Sequence, residues 1–126
     1  MQMITSKLLE LTHRAAIDSG SPELLTEIQS ACHKKQAFCF MSDDSLIVLR
    51  PRMKDGISYV VVWLGVSSRS DGLARHTPTV QELTRMIGGR WAEFYTVRKG
   101  FIRIAKRLGF ERKEDEDGLM KFVIPV

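Results

Sequence analysis

The chain has 126 residues, 44% hydrophobic and 27% charged, with a formal charge of +4, which predicts one soluble globular domain with its own core. No apolar run approaches the ~18 residues of a membrane span, and Met1 to Lys7 holds no basic stretch leading into an apolar one, so neither a transmembrane helix nor a secretory signal is expected. Cys32 and Cys39 are too few for a disulfide framework, and with histidines only at His13, His33 and His76 their spacing fits no zinc pattern; reduced thiols in the cytoplasm are expected, and no metal site.

In chain order, Ile4, Leu8, Leu11 and Ala15 recur at helical spacing and predict a helix that ends at Ser19-Gly20. Ser21-Pro22 supplies an N-cap and a first-turn proline for a second helix, with Leu24, Leu25, Ile28, Ala31 and Cys32 as its apolar stripe and His33 at its C-terminal end. Ala37 to Met41 and Ser45 to Arg50 read as strands joined by a turn at Ser42-Asp43-Asp44. The paired aspartates there are turn formers rather than acid–base partners. After a turn at Lys54-Asp55-Gly56, Ile57 to Val66 is the most β-prone run, and its near-continuous apolar character predicts burial on both faces. Ser67 to His76 reads as a polar loop. A helix is then expected from Thr77-Pro78, with Thr79 and Glu82 as a further capping box, Val80, Leu83, Met86 and Ile87 as its buried side, and Gly88-Gly89 as its end.

Trp91 to Val97 reads as a further strand. The last helix buries Phe101, Ile104, Ala105 and Leu108, turns Lys99, Arg103, Lys106 and Arg107 outward, and stops at Gly109. Phe110 to Lys113 and Leu119 to Pro125 predict a closing hairpin across the acidic turn ending at Asp117-Gly118. Charge is balanced up to Thr84, but Arg85 to Lys113 carries nine basic residues against Glu93 and Glu111, followed by Glu114-Asp115-Glu116-Asp117. Such a stretch suits an anion, or is the solvated face of a helix. The element order gives an α/β (α+β) fold, residues 1–35 being a helical N-terminal part and 36–126 a sheet with two helices, together one domain.

A long apolar strand, then Arg69-Ser70-Asp71-Gly72-Leu73-Ala74, then a helix resembles the phosphate-cradling signature of GCN5-related N-acetyltransferases. A small-residue loop at a helix N-terminus presents backbone N–H groups to a pyrophosphate, and the helix dipole favours the anion. The strand, short helix and hairpin ending in Leu108-Gly109-Phe110 onward, and the element order from about Ala37, are similar to that family over roughly two-thirds of the chain. The resemblance implies a mixed, mostly antiparallel sheet flanked by helices, the acyl-CoA N-acyltransferase architecture, and acetyl-CoA as cofactor. Val62, Leu64 and Val66 would offer strand backbone to the pantetheine arm and thioester, and Arg69, Ser70, Asp71, Gly72, Leu73 and Ala74 would hold the pyrophosphate. His76, Glu93 and Tyr95 are the nearest candidates for a base toward an acceptor amine, on a small molecule or a protein. Arg98-Lys99-Gly100-Phe101, opening the last helix, is similar to short, divergent acetyltransferase-like proteins of tailed phages, which would place the chain in host cytoplasm or virion.

The family's tyrosine, which protonates the departing thiolate, falls on Ala105, and the asparagine often found at the start of that helix falls on Arg98. A catalytically inactive binding or structural protein on the same fold is therefore the second reading. Nucleic-acid binding is the third and is not favoured, because the basic residues share a helix with a buried stripe and Trp91, Phe94, Tyr95 and Phe101 read as core. The exposed edges of an open sheet also admit a homodimer.

Overall fold

The computed structural model describes residues 23–41, 45–67 and 72–126, together with Arg14. The helix expected over Ile4 to Ala15, the Ser21-Pro22 cap, the Ser42-Asp43-Asp44 turn, and Arg69, Ser70 and Asp71 lie outside these residues. The elements are α1 (Leu24–His33), β1 (Phe38–Met41), β2 (Ser45–Lys54), β3 (Ile57–Ser67), α2 (Gly72–Met86), β4 (Trp91–Thr96), α3 (Gly100–Leu108), β5 (Glu111–Glu116) and β6 (Leu119–Pro125). The strands form one sheet in the order β1-β2-β3-β4-β6-β5. Pairing is antiparallel for β1 with β2, β4 with β6 and β5 with β6, and parallel for β3 with β4. A mostly antiparallel mixed sheet with helices is the fold class that the sequence leads one to expect.

Two compact units share the chain, one of residues 1–50 with 62–75 and one of residues 51–61 with 76–126. In the first, Leu24, Ile28 and Ala31 on one side of α1 pack with Ala37, Leu46, Val48 and Leu64, while Cys32, Trp63 and Val66 are partly buried against them. In the second, β4 and β6 pair Ala92 with Ile124 and Phe94 with Phe122, all buried on one face. Phe94 lies 5.6 Å from Phe101, 6.1 Å from Phe110 and 5.3 Å from Phe122 between ring centroids. Each such ring pair contributes roughly 0.5–1.5 kcal/mol beyond the area it buries.

Turn chemistry sets the hairpins. Asp55-Gly56 and Asp117-Gly118 have positive φ at both residues, 52° and 78° at the first and 53° and 78° at the second, as two-residue turns matched to strand twist require. Pairing therefore runs up to each turn, and two boundaries differ from expectation. β2 continues past Arg50 to Lys54. Pro51 stands beyond Leu49, the last residue of β2 with a partner on β1. Glu114, Asp115 and Glu116 belong to β5 rather than to the turn, with a register irregularity between Lys113 and Glu116. In β3, Val60 and Leu64 are buried and the residues between are half-buried, so the expected full burial of both faces holds for one face only.

The largest correction concerns α2, which begins at Gly72 and not at Thr77-Pro78, so that Pro78 stands inside it. An interior proline forfeits its hydrogen bond to the residue four back and costs about 3 kcal/mol. The helix persists because its buried stripe runs through the proline, with Thr77, Val80 and Thr84 at i, i+3 and i+7. Thr84 satisfies its buried hydroxyl by donating to the Val80 carbonyl at 2.7 Å. Since that stripe faces inward, Met86 and Ile87 emerge 71% and 45% exposed instead of buried.

The three helices described close in the same way. The N–H of the residue after the left-handed one returns to a carbonyl five residues earlier, and the left-handed residue's own N–H returns to one three residues earlier: Gln36 and Lys35 to Ala31 and Cys32, Gly89 and Gly88 to Thr84 and Arg85, Phe110 and Gly109 to Ala105 and Lys106. The closure needs a left-handed residue, supplied by Gly88 and Gly109 in two cases and by Lys35, at φ 60°, in the first. A left-handed non-glycine residue costs roughly 1–2 kcal/mol, partly offset by the lower freedom of its unfolded chain. Lys35→Gly is expected to stabilise the protein by about 0.5–1 kcal/mol, read as a raised urea midpoint at unchanged slope. Gly89 is fixed by a close approach: a Cβ there would lie 2.7 Å from Thr84 Cγ2 and 3.1 Å from the Thr84 carbonyl oxygen. Gly89→Ala is expected to lower stability by about 1–3 kcal/mol in the same assay.

Candidate functional site

The parallel β3–β4 pair requires a crossover, and α2 supplies it. Of the residues proposed for the crossover's entry, Leu64 is buried, and Val62 and Val66 are half-buried on β3. Leu64 and Val66 pack with the α1 core, so their side chains are committed and their role toward a ligand is limited to main chain. Gly72, Leu73 and Ala74 are the first three residues of α2. The six-residue signature therefore ends in the first turn of a 15-residue helix instead of several residues ahead of one, and no acidic residue stands in that turn. Asp71, the residue before Gly72, belongs to the signature itself, and the positive end of the dipole and the first N–H groups of a helix suit an anion. His76 follows in the second turn, half-buried and engaged with neighbouring groups.

Glu93 and Tyr95 share a face of β4, as strand alternation predicts, but the arrangement around them is not legible in the sequence. Glu93 is 3% exposed, a buried carboxylate where a partly solvated one is expected. Trp91 Nε1–H donates to its Oε1 at 2.9 Å, and the Tyr95 hydroxyl donates to its Oε2 at 2.6 Å. Lys121, opposite Tyr95 in register, brings its ammonium to 3.5 Å from Glu93 Oε2 and 3.7 Å from Glu116 Oε2, and 5.7 Å from the centre of the Tyr95 ring. Trp91 is stacked on Tyr59 at 5.1 Å. Every oxygen of the buried carboxylate thus has a donor, which is what makes its burial affordable. Trp91 and Lys121 were not among the candidates: the alternation of β4 places Trp91, whereas Lys121 arrives only through the β4–β6 register.

Position 105, where the resemblance places a tyrosine, is 1% exposed in the core of the second unit. Phe101, Ile104 and Leu108 flank it, half-buried, on the inner side of α3, and Lys99, Arg103, Lys106 and Arg107 are exposed, as expected. In the first unit, Thr26, Glu27 and Ser30 of α1, with Gln36, Arg50 and Trp63, line an open hollow of about 350 Å³, and the Arg50 guanidinium lies 4.6 Å above the Trp63 ring. Among the described residues no helix is long and apolar enough to cross a membrane.

Burial, then hydrogen bonding to Glu93 and Glu116, pushes the Tyr95 phenol well above its ordinary value of 10.0. The folded state therefore holds this proton more tightly than the unfolded chain does. Its contribution to stability is complete below about pH 10 and is lost as pH rises past that value. With Tyr59→Phe leaving Tyr95 as the only tyrosine, phenolate absorbance is expected to appear together with loss of structure and not before it. A phenolate that forms near pH 10 in a folded protein would contradict the network.

No family model matches the sequence, and no curated protein matches it. Solved structures do. An acetyltransferase of Bacillus subtilis in complex with CoA aligns with a TM-score of 0.61 at 11% identity, over 100% of this chain and 95% of that one. An acetyltransferase of the GNAT family from Listeria monocytogenes aligns with 0.59 at 14%, over 95% and 88%. AtaTR bound with AcCoA aligns with 0.55 at 16%, over 82% and 76%. The chain has the fold of the GNAT acetyltransferases.

Proposed function

We propose that the protein is an N-acetyltransferase that moves an acetyl group from acetyl-CoA to an amine. The observation that carries this reading is the start of α2 at Gly72, separated from the end of β3 by four residues and with no acid in its first turn. The fold neighbours crystallised with CoA and AcCoA point the same way. In this reading the segment from Arg69 to Ala74 holds the pyrophosphate, and the backbone of Val62 to Val66 lies along the pantetheine arm. Acetyl-CoA supplies an activated acyl group whose C–S bond breaks as the C–N bond to the amine forms. The amine must shed a proton, and the Tyr95–Glu93 pair offers a route: Tyr95 Oη takes the amine proton as its own passes to Glu93 Oε2, 2.6 Å away. His76 is the other base candidate. The acceptor is an amine on a small molecule or a protein.

The burial of Ala105 supports a second reading, a catalytically inactive binding or structural protein on the same fold, because no proton donor reaches the thiolate from that helix position. A phage source belongs to either reading. Thermal unfolding with acetyl-CoA, and with CoA as control, tests the cradle. At a hundredfold excess over its Kd the ligand adds about 2.7 kcal/mol of stability. Gly72→Asp is expected to abolish the shift while leaving the midpoint without ligand unchanged or higher, since a carboxylate suits the helix start but repels phosphate. Glu93→Gln is expected to keep the shift and lower turnover by about 10²-fold. A shift with no acetyl transfer to a panel of amines would favour the inactive relative, and no shift at millimolar cofactor would remove the enzyme reading and leave a binding or structural protein on the same fold.

A further inference from the structure

The two cysteines of the chain carry free thiols, Cys32 half-buried in the last turn of α1 and Cys39 exposed on β1. Seven positions separate them in sequence. Between them the chain turns from helix to strand: Lys35 takes the left-handed conformation, and the Gln36 N–H donates to the Ala31 carbonyl at 2.8 Å.

Register decides which way Cys39 faces. It stands opposite Val48 of β2, and residues directly opposite in an antiparallel pair share a face of the sheet. Val48 is buried with Leu24, Ile28 and Ala31, so this is the face that α1 covers. Ala37, two residues before Cys39, belongs to the same cluster, whereas Phe38 and Phe40 stand opposite Leu49 and Ile47 and take the other face. Cys32 is itself packed against that cluster. The two thiols therefore border one apolar cluster, one from the helix and one from the strand. Partial burial, and after it the Cys32 thiol, raise the Cys39 thiol above its ordinary value, as neighbouring thiols do to one another. A shared metal does not account for the pair: among the described residues no group of three or more His, Cys, Asp or Glu side chains could hold one.

We infer that Cys32 and Cys39 form a redox-modification site, a dithiol that a low-molecular-weight disulfide such as oxidised glutathione converts into an intrachain disulfide. The thiolate of one cysteine attacks the small disulfide, whose S–S bond breaks to release one small thiol and leave a mixed disulfide on the chain. The thiolate of the other cysteine then attacks the chain's sulfur in that bond and expels the second small thiol. The chain's two thiols give up two protons and two electrons, and the two small thiols carry both away. The new bond closes a loop of eight residues and ties the last turn of α1 to the edge strand, within one compact unit. Neither cysteine belongs to the residues assigned to acetyl transfer, so the site stands whether or not that reaction occurs.

Incubated with oxidised glutathione, the full chain is expected to lose both thiols to a thiol-reactive dye under denaturing conditions, to lose the mass of two hydrogens, and to run as a single chain on a non-reducing denaturing gel. Its thermal midpoint is expected to rise by about 5–10 °C, and dithiothreitol to reverse the change. Cys32→Ser is expected to hold a stable glutathione adduct on Cys39, which the unaltered chain resolves. A stable adduct on the unaltered chain, or disulfide-linked pairs of chains as the main product, overturns the inference. So do two thiols that remain free after prolonged incubation with the oxidised form alone.

Discussion

The parallel pairing of β3 with β4, Val60 beside Ala92 and Val61 beside Glu93, is the constraint on which the rest of this chain depends. Every other pairing described is antiparallel, and between β5 and β6 an Asp-Gly turn closes the pair directly. A parallel neighbour cannot be reached that way. The chain must leave the carboxyl end of β3 and return through a crossover helix. The start of α2 therefore follows the end of β3 within a few residues, so the chain leaving that strand runs straight into the positive pole of a 15-residue helix. In open sheets ligands gather at the carboxyl ends of strands for this reason. The proposed cradle follows from the topology before any side chain is considered.

The same pairing fixes the parity of β4, and parity divides its residues into two chemistries. Ala92 and Phe94 enter the core with Ile124 and Phe122, while Trp91, Glu93 and Tyr95 take the other face. A one-residue slip of β4 would send the carboxylate into the aromatic core, where it would have no donor, and Phe94 to the other face. The network of Trp91, Tyr95 and Lys121 around Glu93 and the packing of Phe94 are thus two consequences of one register.

How much of this is legible in the sequence depends on how local its cause is. The Asp-Gly turns, the apolar stripe of α1 and the amphipathic α3 are set by neighbours within a few residues, and all are readable. The start of α2 is not, because Thr77-Pro78 imitates a helix start and because two of its three buried stripe positions are threonines. Thr84 is buried at the cost of a hydroxyl, satisfied by the carbonyl four residues back, and hydropathy counts it as polar. The loop and its glycine can be read, but their seating on the helix cannot. Tyr95 and Glu93 can be placed on one face by alternation, yet the burial of Glu93 needs Lys121, which lies 28 positions away and meets it only through β6.

The weak signature and the clear fold have a common physical origin. A phosphate cradle built from backbone N–H groups asks little of side chains beyond small size at one or two positions, so it can persist when identity to structures of the same fold is 11–16%. Proton transfer is different, because it needs one titratable atom at one place. In this chain position 105 is absorbed into the core, and the proposed route for the amine proton runs through a tyrosine–carboxylate pair on β4. Binding and chemistry are separable in such a scaffold: the first rests on the crossover, which the fold cannot lose, and the second on a few side chains that it can.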